Sequence, residues 1–230
     1  MPEQQGLIFV YLEAGPDVKE TDLNDWYDNE HAPLRVTVPG VETAIRYKAT
    51  DSQTPTWLTL YDVESPETAN SEAYKALRSR ASDNEKTILA KIGGLSRRTY
   101  ALLGTFIHPD TTAESLPSRY VVAVSLEVKP EHEDDFNKWY NQEHMDLLSK
   151  VPGWKRGRRY AIVDSNQRGE LTNKPISKYL ALHELDNNGF AETPEWKLAL
   201  STKWRDRVME NVVRRELRVF ELLKVFRKPE

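Results

Sequence analysis

The sequence predicts an α+β fold made of two tandem β-α-β-β-α-β units. Three observations carry this. The string Trp-Tyr-x-x-Glu-His occurs at 26–31 and again at 139–144, 113 residues on. Each copy is followed at the same offset by Val-Pro-Gly (Val38, Pro39, Gly40; Val151, Pro152, Gly153) and by Arg-Tyr (Arg46, Tyr47; Arg159, Tyr160). Around both copies, strand-like and helix-like hydrophobic periods alternate in the same order.

In the first copy, residues 6–12 form an apolar, β-rich run and read as a strand. Gly15-Pro16 breaks the connection that follows, and Thr21 or Asp22 supplies an N-cap. A helix then runs to about Thr37, with Leu23, Trp26, Tyr27, Glu30 and Leu34 on one face. Pro39-Gly40 ends it. Residues 41–49 and 57–63 are the next two strands, with a turn at 51–55. Residues 66–92 read as helical with a break near Ser82-Asp83, and Gly93-Gly94 as the helix stop. Residues 99–106 close the unit. This order is the ferredoxin-like arrangement.

Residues 108–117 are polar with two prolines and read as a linker, so the expected domains are 1–107 and 118–230. The second copy places strands at 119–128, 154–164, 177–185 and 214–226, and its first helix at 131–150. Thr193-Pro194-Glu195 opens its second helix. Residues 57–61 align with 179–183 at an offset of 122, so nine extra residues lie between the second and third strands of the second copy. A sheet with helices on one face leaves the other face bare. Two such units can cover each other sheet to sheet, which predicts an intrachain dimeric α/β barrel. A homodimer of whole chains is compatible with this arrangement.

The chain has 230 residues, a net charge of −4 and a pI near 5.8, which argues against nucleic acid as a partner. The basic clusters Lys155, Arg156, Arg158, Arg159 and Arg214, Arg215 read as solvated surface, since strand spacing divides them between two faces. There is no cysteine, which removes disulfides and thiolate chemistry and is compatible with a reducing, cytoplasmic compartment. The start Met1-Pro2-Glu3-Gln4-Gln5 lacks the marks of a secretory signal. Apolar runs are strand-sized, so no membrane span is expected.

His31 and His144 are the leading candidates for chemistry, because imidazole exchanges protons near neutrality. Glu30 and Glu143 precede them, but adjacent helical positions diverge by about 100°, so neither glutamate is expected to orient its neighbour directly. A structural histidine that caps helix carbonyls is the competing reading. Trp26, Tyr27, Trp139 and Tyr140 either pack helix on sheet or wall a pocket for a flat ligand. Of each pair Arg46-Tyr47 and Arg159-Tyr160, one member must face the helices, where an Arg could hold a carboxylate or phenolate. His183 stands in the second copy where the first has Tyr61; it is a second acid/base candidate or a satisfied buried histidine. His108 and His132 belong to linker and loop. No metal is expected, since H-x-x-x-H and H-E-x-x-H are absent. No glycine-rich phosphate loop follows a strand, so no nucleotide cofactor is expected either.

The doubled Trp-Tyr-x-x-Glu-His with Val-Pro-Gly after it resembles the dimeric α/β-barrel superfamily, and within it EthD-domain proteins in a tandem form seen in fungi. The resemblance implies a small apolar pocket between helices and sheet, with one or two His or Tyr acting on an aromatic or polyketide-like substrate. It points to His31 and His144, with Glu30 and Glu143 beside them. Ala32-Pro33-Leu34 is nearer to the family's Glu-His-x-Pro pattern than Met145-Asp146-Leu147, which favours the first copy. The expected function is that of a cofactor-independent enzyme using histidine acid/base chemistry for decarboxylation, cyclisation or isomerisation. The alternatives are a cofactor-free or haem-dependent monooxygenase, and a non-catalytic binding or stress-related module.

Overall fold

A computed structural model describes residues 4–228; the expectation drawn from Met1-Pro2-Glu3-Gln4-Gln5 falls mostly outside them. Both copies fold in the expected order. The first has strands β1 (Gly6–Glu13), β2 (Val41–Ala49), β3 (Trp57–Val63) and β4 (Gly94–Ile107). The second has β5 (Tyr120–Val128), β6 (Trp154–Gly169), β7 (Tyr179–Leu185) and β8 (Val212–Arg227). All pairings within the copies are antiparallel, and β1 lies between β3 and β4 as β5 lies between β7 and β8. The strands follow one closed order, β1-β3-β2-β8-β5-β7-β6-β4, which makes an eight-stranded antiparallel barrel. No helix among the described residues is long and apolar enough to cross a membrane.

The chain divides into two compact units that differ from a simple cut at the linker. The first runs to Leu102 and includes Ile162–Pro175 and the chain from Leu223 onward. The second comprises Leu103–Ala161 and Ile176–Leu222. The ends of β6 and β8 therefore belong to the first unit and the end of β4 to the second.

In the first unit, Leu23, Trp26 and Tyr27 seat the first helix on β1 and β3 with Ile8, Val10 and Trp57. In the second, Phe136, Trp139 and Tyr140 do the same with Val122, Val124 and Tyr179. Val-Pro-Gly is a tight turn in both. Val41 donates to the Val38 carbonyl at 3.1 Å and Trp154 to the Val151 carbonyl at 3.0 Å. Gly40 and Gly153 have φ of +83° and +84°, which only glycine adopts without strain after a proline at the first corner.

Four sequence expectations need correction. The first helix starts at Glu20 after Lys19, so neither Thr21 nor Asp22 caps it. Residues 66–92 do break at Ser82-Asp83, where Ser82 caps α4 (Asp83–Lys91), but the part before the break is a 3-10 turn (Pro66–Asn70) and a short α3 (Glu72–Ala76) in place of a continuous helix. α4 stops just before Gly93-Gly94 as expected, but neither glycine is left-handed: Ile92 is the cap and Gly94 opens β4. Gly93 is small because Gly15 approaches it, a Cβ there meeting the Gly15 Cα at 2.8 Å. The Arg158-Arg159 cluster is buried, not solvated: the two are 6% and 3% exposed. Arg156 binds Glu184 through two hydrogen bonds of 2.6 and 2.9 Å, and Arg158 lies 3.5 Å from the same carboxylate. Charge alone does not mark surface when a buried glutamate receives it.

Candidate functional site

The first helix of each copy is α-helical, then widens, then recovers. In the first copy these segments are α1 (Glu20–Trp26), a π turn (Tyr27–His31) and α2 (Ala32–Val36). In the second they are α5 (Glu133–Trp139), a π turn (Tyr140–His144) and α6 (Met145–Ser149). The Ala32 amide donates to the Tyr27 carbonyl, five residues back. In a regular helix positions five apart diverge by about 140°. The wide turn cancels that divergence, and the His31 ring lies 4.5 Å from Trp26 and 4.7 Å from Tyr27. His144 likewise stacks on Trp139 at 4.3 Å. Single π turns of this kind recur at functional sites.

Each motif position has its own partner. Asp28 and Asn24 receive the Arg46 guanidinium from β2, which also lies 4.5 Å from the Tyr27 ring centroid. Asn141 and Asn137 receive Arg159 at 2.6 and 2.7 Å. Arg46 and Arg159 thus face the helices, fully engaged in clamping them, and Tyr47 and Tyr160 lie buried on the other strand face. Glu30 turns away from His31 and accepts from the side chains of Ser82 and Asn84. Glu143 accepts from Thr202, the N-cap of the helix Lys203–Met209. Glu143 thus clasps the start of that helix, and Glu30 the start of α4.

His31 finds its carboxylate on that helix. Ser82 caps α4, its side chain accepting from the Glu85 amide at 2.9 Å, and this cap points Glu85 back to the motif. The Nδ1 of His31 lies 3.0 Å from Glu85 Oε1, and Arg35 lies 3.6 Å from the same oxygen. Burial, then Arg35, lower the His31 pKa to about 3, so the imidazole is neutral near pH 7. Burial alone would raise Glu85, but His31 and Arg35 outweigh it and hold the carboxyl below its ordinary value. The neutral ring therefore donates from Nδ1 to Glu85 and keeps its lone pair on Nε2. Beside it the hydroxyls of Tyr27 and Tyr61 share a 2.9 Å hydrogen bond, and burial raises both phenols.

His31, Arg35, Tyr61 and Glu85 border a cleft of about 1040 Å³ in the first unit, with Tyr74 among its other lining residues. In the second unit, Trp139, Tyr140, His144 and His183 border a cavity of only about 30 Å³, room for about one water. The difference is a set of substitutions at matching places. Leu148 stands for Arg35, Trp196 for Tyr74, Leu200 for Arg78 and Arg205 for Glu85. The last pair is matched by the caps, since Thr202 accepts from the Arg205 amide as Ser82 does from Glu85. His144 thus lacks a carboxylate; burial, His183 and Arg205 lower it to about 3. His183 accepts from the Trp154 indole at Nδ1 (3.3 Å), which leaves Nε2–H to donate to the Tyr140 hydroxyl at 3.5 Å. It is a buried histidine with both nitrogens occupied.

Of the residues singled out from sequence, the structure brings His31 and Tyr61 to the cleft, with Tyr27 behind Tyr61. It brings Trp139, Tyr140, His144 and His183 to the small cavity. Trp26 packs in the core, and Glu30, Glu143, Arg46, Tyr47, Arg159 and Tyr160 border neither space. Sequence reasoning missed Glu85, Arg35 and Tyr74. The signal was present for Glu85, since Ser82-Asp83-Asn84-Glu85 has capping-box spacing. Among the described residues, no three His, Asp or Glu gather closely enough to hold a metal ion.

No protein-family model matches the chain, and no curated protein is similar enough to match it. Solved structures do match in fold. An anthrone oxidase-like protein aligns with a TM-score of 0.67 at 13% identity, over 99% of this chain and 94% of its own. A proposed monooxygenase from Fusobacterium nucleatum aligns at 0.64 and 12%, over 99% and 96%. A chlorite dismutase variant from Candidatus Nitrospira defluvii aligns at 0.61 and 9%, over 96% and 93%. At these identities the likeness is one of fold, and the chain has the dimeric α/β-barrel fold within a single polypeptide.

Proposed function

We propose that the protein is an enzyme that takes a proton from an aromatic or polyketide-derived small molecule in the first unit's cleft. The observation that carries this reading is the His31–Glu85 pair, 3.0 Å apart on the wall of a cleft of about 1040 Å³. In the second unit the same motif has no carboxylate partner and no comparable space. His31 is the base through Nε2, and Glu85 fixes the tautomer and supports the imidazolium as it forms. Burial and Arg35 oppose that imidazolium in the empty cleft. They oppose it less once a phenolate or enolate develops beside Arg35, so proton transfer is matched to the arrival of negative charge on the substrate. The Tyr61 hydroxyl donates to the same developing oxygen. The carbanion or enolate so formed can lose CO2, close a ring or be reprotonated elsewhere.

A second outcome is favoured by what the fold neighbours are named for, an anthrone oxidase-like protein and monooxygenases. Here the carbanion reduces dioxygen and forms a C–OOH bond, and loss of water leaves a carbonyl. A ring CH2 and O2 become C=O and H2O without a cofactor. A haem-dependent form is the remaining alternative: the Nε2 of His31, whose Nδ1 is held by Glu85, would be the protein's ligand to the iron. Bound haem would supply the oxidising chemistry, and His31 alone would hold the iron. An EthD-type affiliation rests on the motif resemblance.

The test is turnover of anthrones and of phenolic keto acids by His31→Ala and His144→Ala, with an oxygen electrode and an absorption spectrum of the purified protein. The expected result is loss of turnover in the first variant and its retention in the second. Oxygen uptake selects oxidation over cyclisation or decarboxylation, and a Soret band selects haem. Full activity in His31→Ala refutes the assignment. Loss of stability in that variant, with no turnover by the wild type across the panel, points to a binding module.

A further inference from the structure

One wall of the cleft is not encoded by the first repeat. Asp164, Ser165, Asn166 and Arg168 line it, and they come from the extended end of β6, the place of the nine extra residues. This arm belongs to the first compact unit and is fastened there. The Glu170 amide donates to the Gly93 carbonyl at 2.8 Å. Leu171 is 3% exposed and lies against Gly94, where a Cβ would meet its Cγ at 2.8 Å. Gly169 has φ +62°, and a Cβ there would come within 2.1 Å of the Gly93 oxygen. Arg168 precedes this anchor directly, so its backbone is held in place.

The charges lining the cleft are unequally satisfied. Arg35 has Glu85, and Arg97 has the arm's own Asp164 at 3.8 Å. Lys75 and Lys86 pair at the exposed surface with Glu72 and Asp83, and Arg78 has no ion pair among the described residues but is exposed to water. Arg168 is half-buried, its pKa lowered by burial, and it forms no ion pair among the described residues. A guanidinium that has lost water and gained no counter-ion is costly, and an anion in the cleft would supply the missing partner. Its planar fork matches a carboxylate with two parallel hydrogen bonds.

We propose that Arg168 is a specificity-determining residue of the cleft and selects aromatic ligands that carry a carboxylate. This rests on the reading of the cleft as a substrate site. The arm thereby makes the second repeat's insertion a functional part of the first repeat's pocket.

The test is calorimetric titration at low ionic strength of two near-isosteric probes, 2-naphthoate and neutral 2-naphthylmethanol. Wild type is expected to bind the naphthoate about tenfold or more tightly than the alcohol, the scale of one charged hydrogen-bonded contact. Arg168→Gln should cut that preference to about threefold or less by weakening only the naphthoate, and Arg168→Lys should fall between. Arg80→Gln, outside the cleft lining, should leave it intact. Equal binding of the two probes by wild type overturns the carboxylate selectivity and leaves the cleft as a ligand site. An undiminished preference in Arg168→Gln overturns the role of Arg168. Binding of neither probe overturns the ligand-site reading itself.

Discussion

Acidification from pH 7 to pH 5 should remove a large part of the folding free energy, through three histidines held neutral in the folded state. His31, His144 and His183 are 7%, 7% and 1% exposed. Burial first, helped by Arg35, by His183 with Arg205, and by Arg159 respectively, lowers them to about 3, 3 and 4 from an ordinary 6.5. Between those values and 6.5 the unfolded chain binds a proton at each site and the folded chain does not. Stability therefore falls as pH falls through 6.5, by about 1.4 kcal/mol per pH unit for each histidine. Over pH 7 to 5 that is about 2 kcal/mol each and about 6 kcal/mol together, against a usual total of about 5–15 kcal/mol. Urea unfolding at pH 7, 6 and 5, with the slope m checked for constancy, measures it. His183→Gln keeps an acceptor for the Trp154 indole and removes one titrating group, so its loss over the same range should be about 4 kcal/mol. A wild-type loss below about 2 kcal/mol, or a His183→Gln profile parallel to wild type, would refute the assignment of neutral buried imidazoles.

Three further outcomes follow from the geometry. Glu85→Gln should lower kcat by about tenfold or more with KM little changed, because it removes the charge that supports the imidazolium while leaving a side chain that can still accept from Nδ1; steady-state kinetics check it. Trp196→Ala should cost about 3–5 kcal/mol and enlarge the second unit's cavity, seen as a lower melting temperature and a second binding event for 2-naphthylmethanol. Arg205→Glu should place a carboxylate where the first copy has Glu85 and move the His144 titration upward, read by NMR of the ring protons; an unmoved titration would show that the two caps do not present equivalent positions.

The fold was legible because its signals are local and doubled. Strand periods, the Val-Pro-Gly turn with its left-handed glycine, and the Thr193-Pro194 helix start are each set within a few residues. The aromatic half of the motif was also readable, since Trp26 and Tyr27 stand at helical spacing from Leu23 and Leu34 and pack with them. The π turn was not, because nothing in the five residues from Tyr27 to His31 distinguishes a wide turn from a regular one. It arises where Trp26, Tyr27 and His31 all find partners on one side. The buried Arg158 illustrates the same limit: its counter-charge, Glu184, is on the neighbouring strand, 26 residues away.

By itself the sequence determined two copies of one α+β unit, the order of their strands, and histidine as the group to examine. Tertiary structure decided what each histidine faces. His31 and His144 sit in matching π turns with matching aromatic neighbours. Their surroundings come from a distant helix, where Glu85 meets one and Arg205 crowds the other, and from Trp196, which fills one space where Tyr74 leaves the other open. The wall carrying Arg168 comes from the opposite repeat. A site that joins His31 to Tyr61, Glu85 and Arg168 is fixed by packing, and no local period records it.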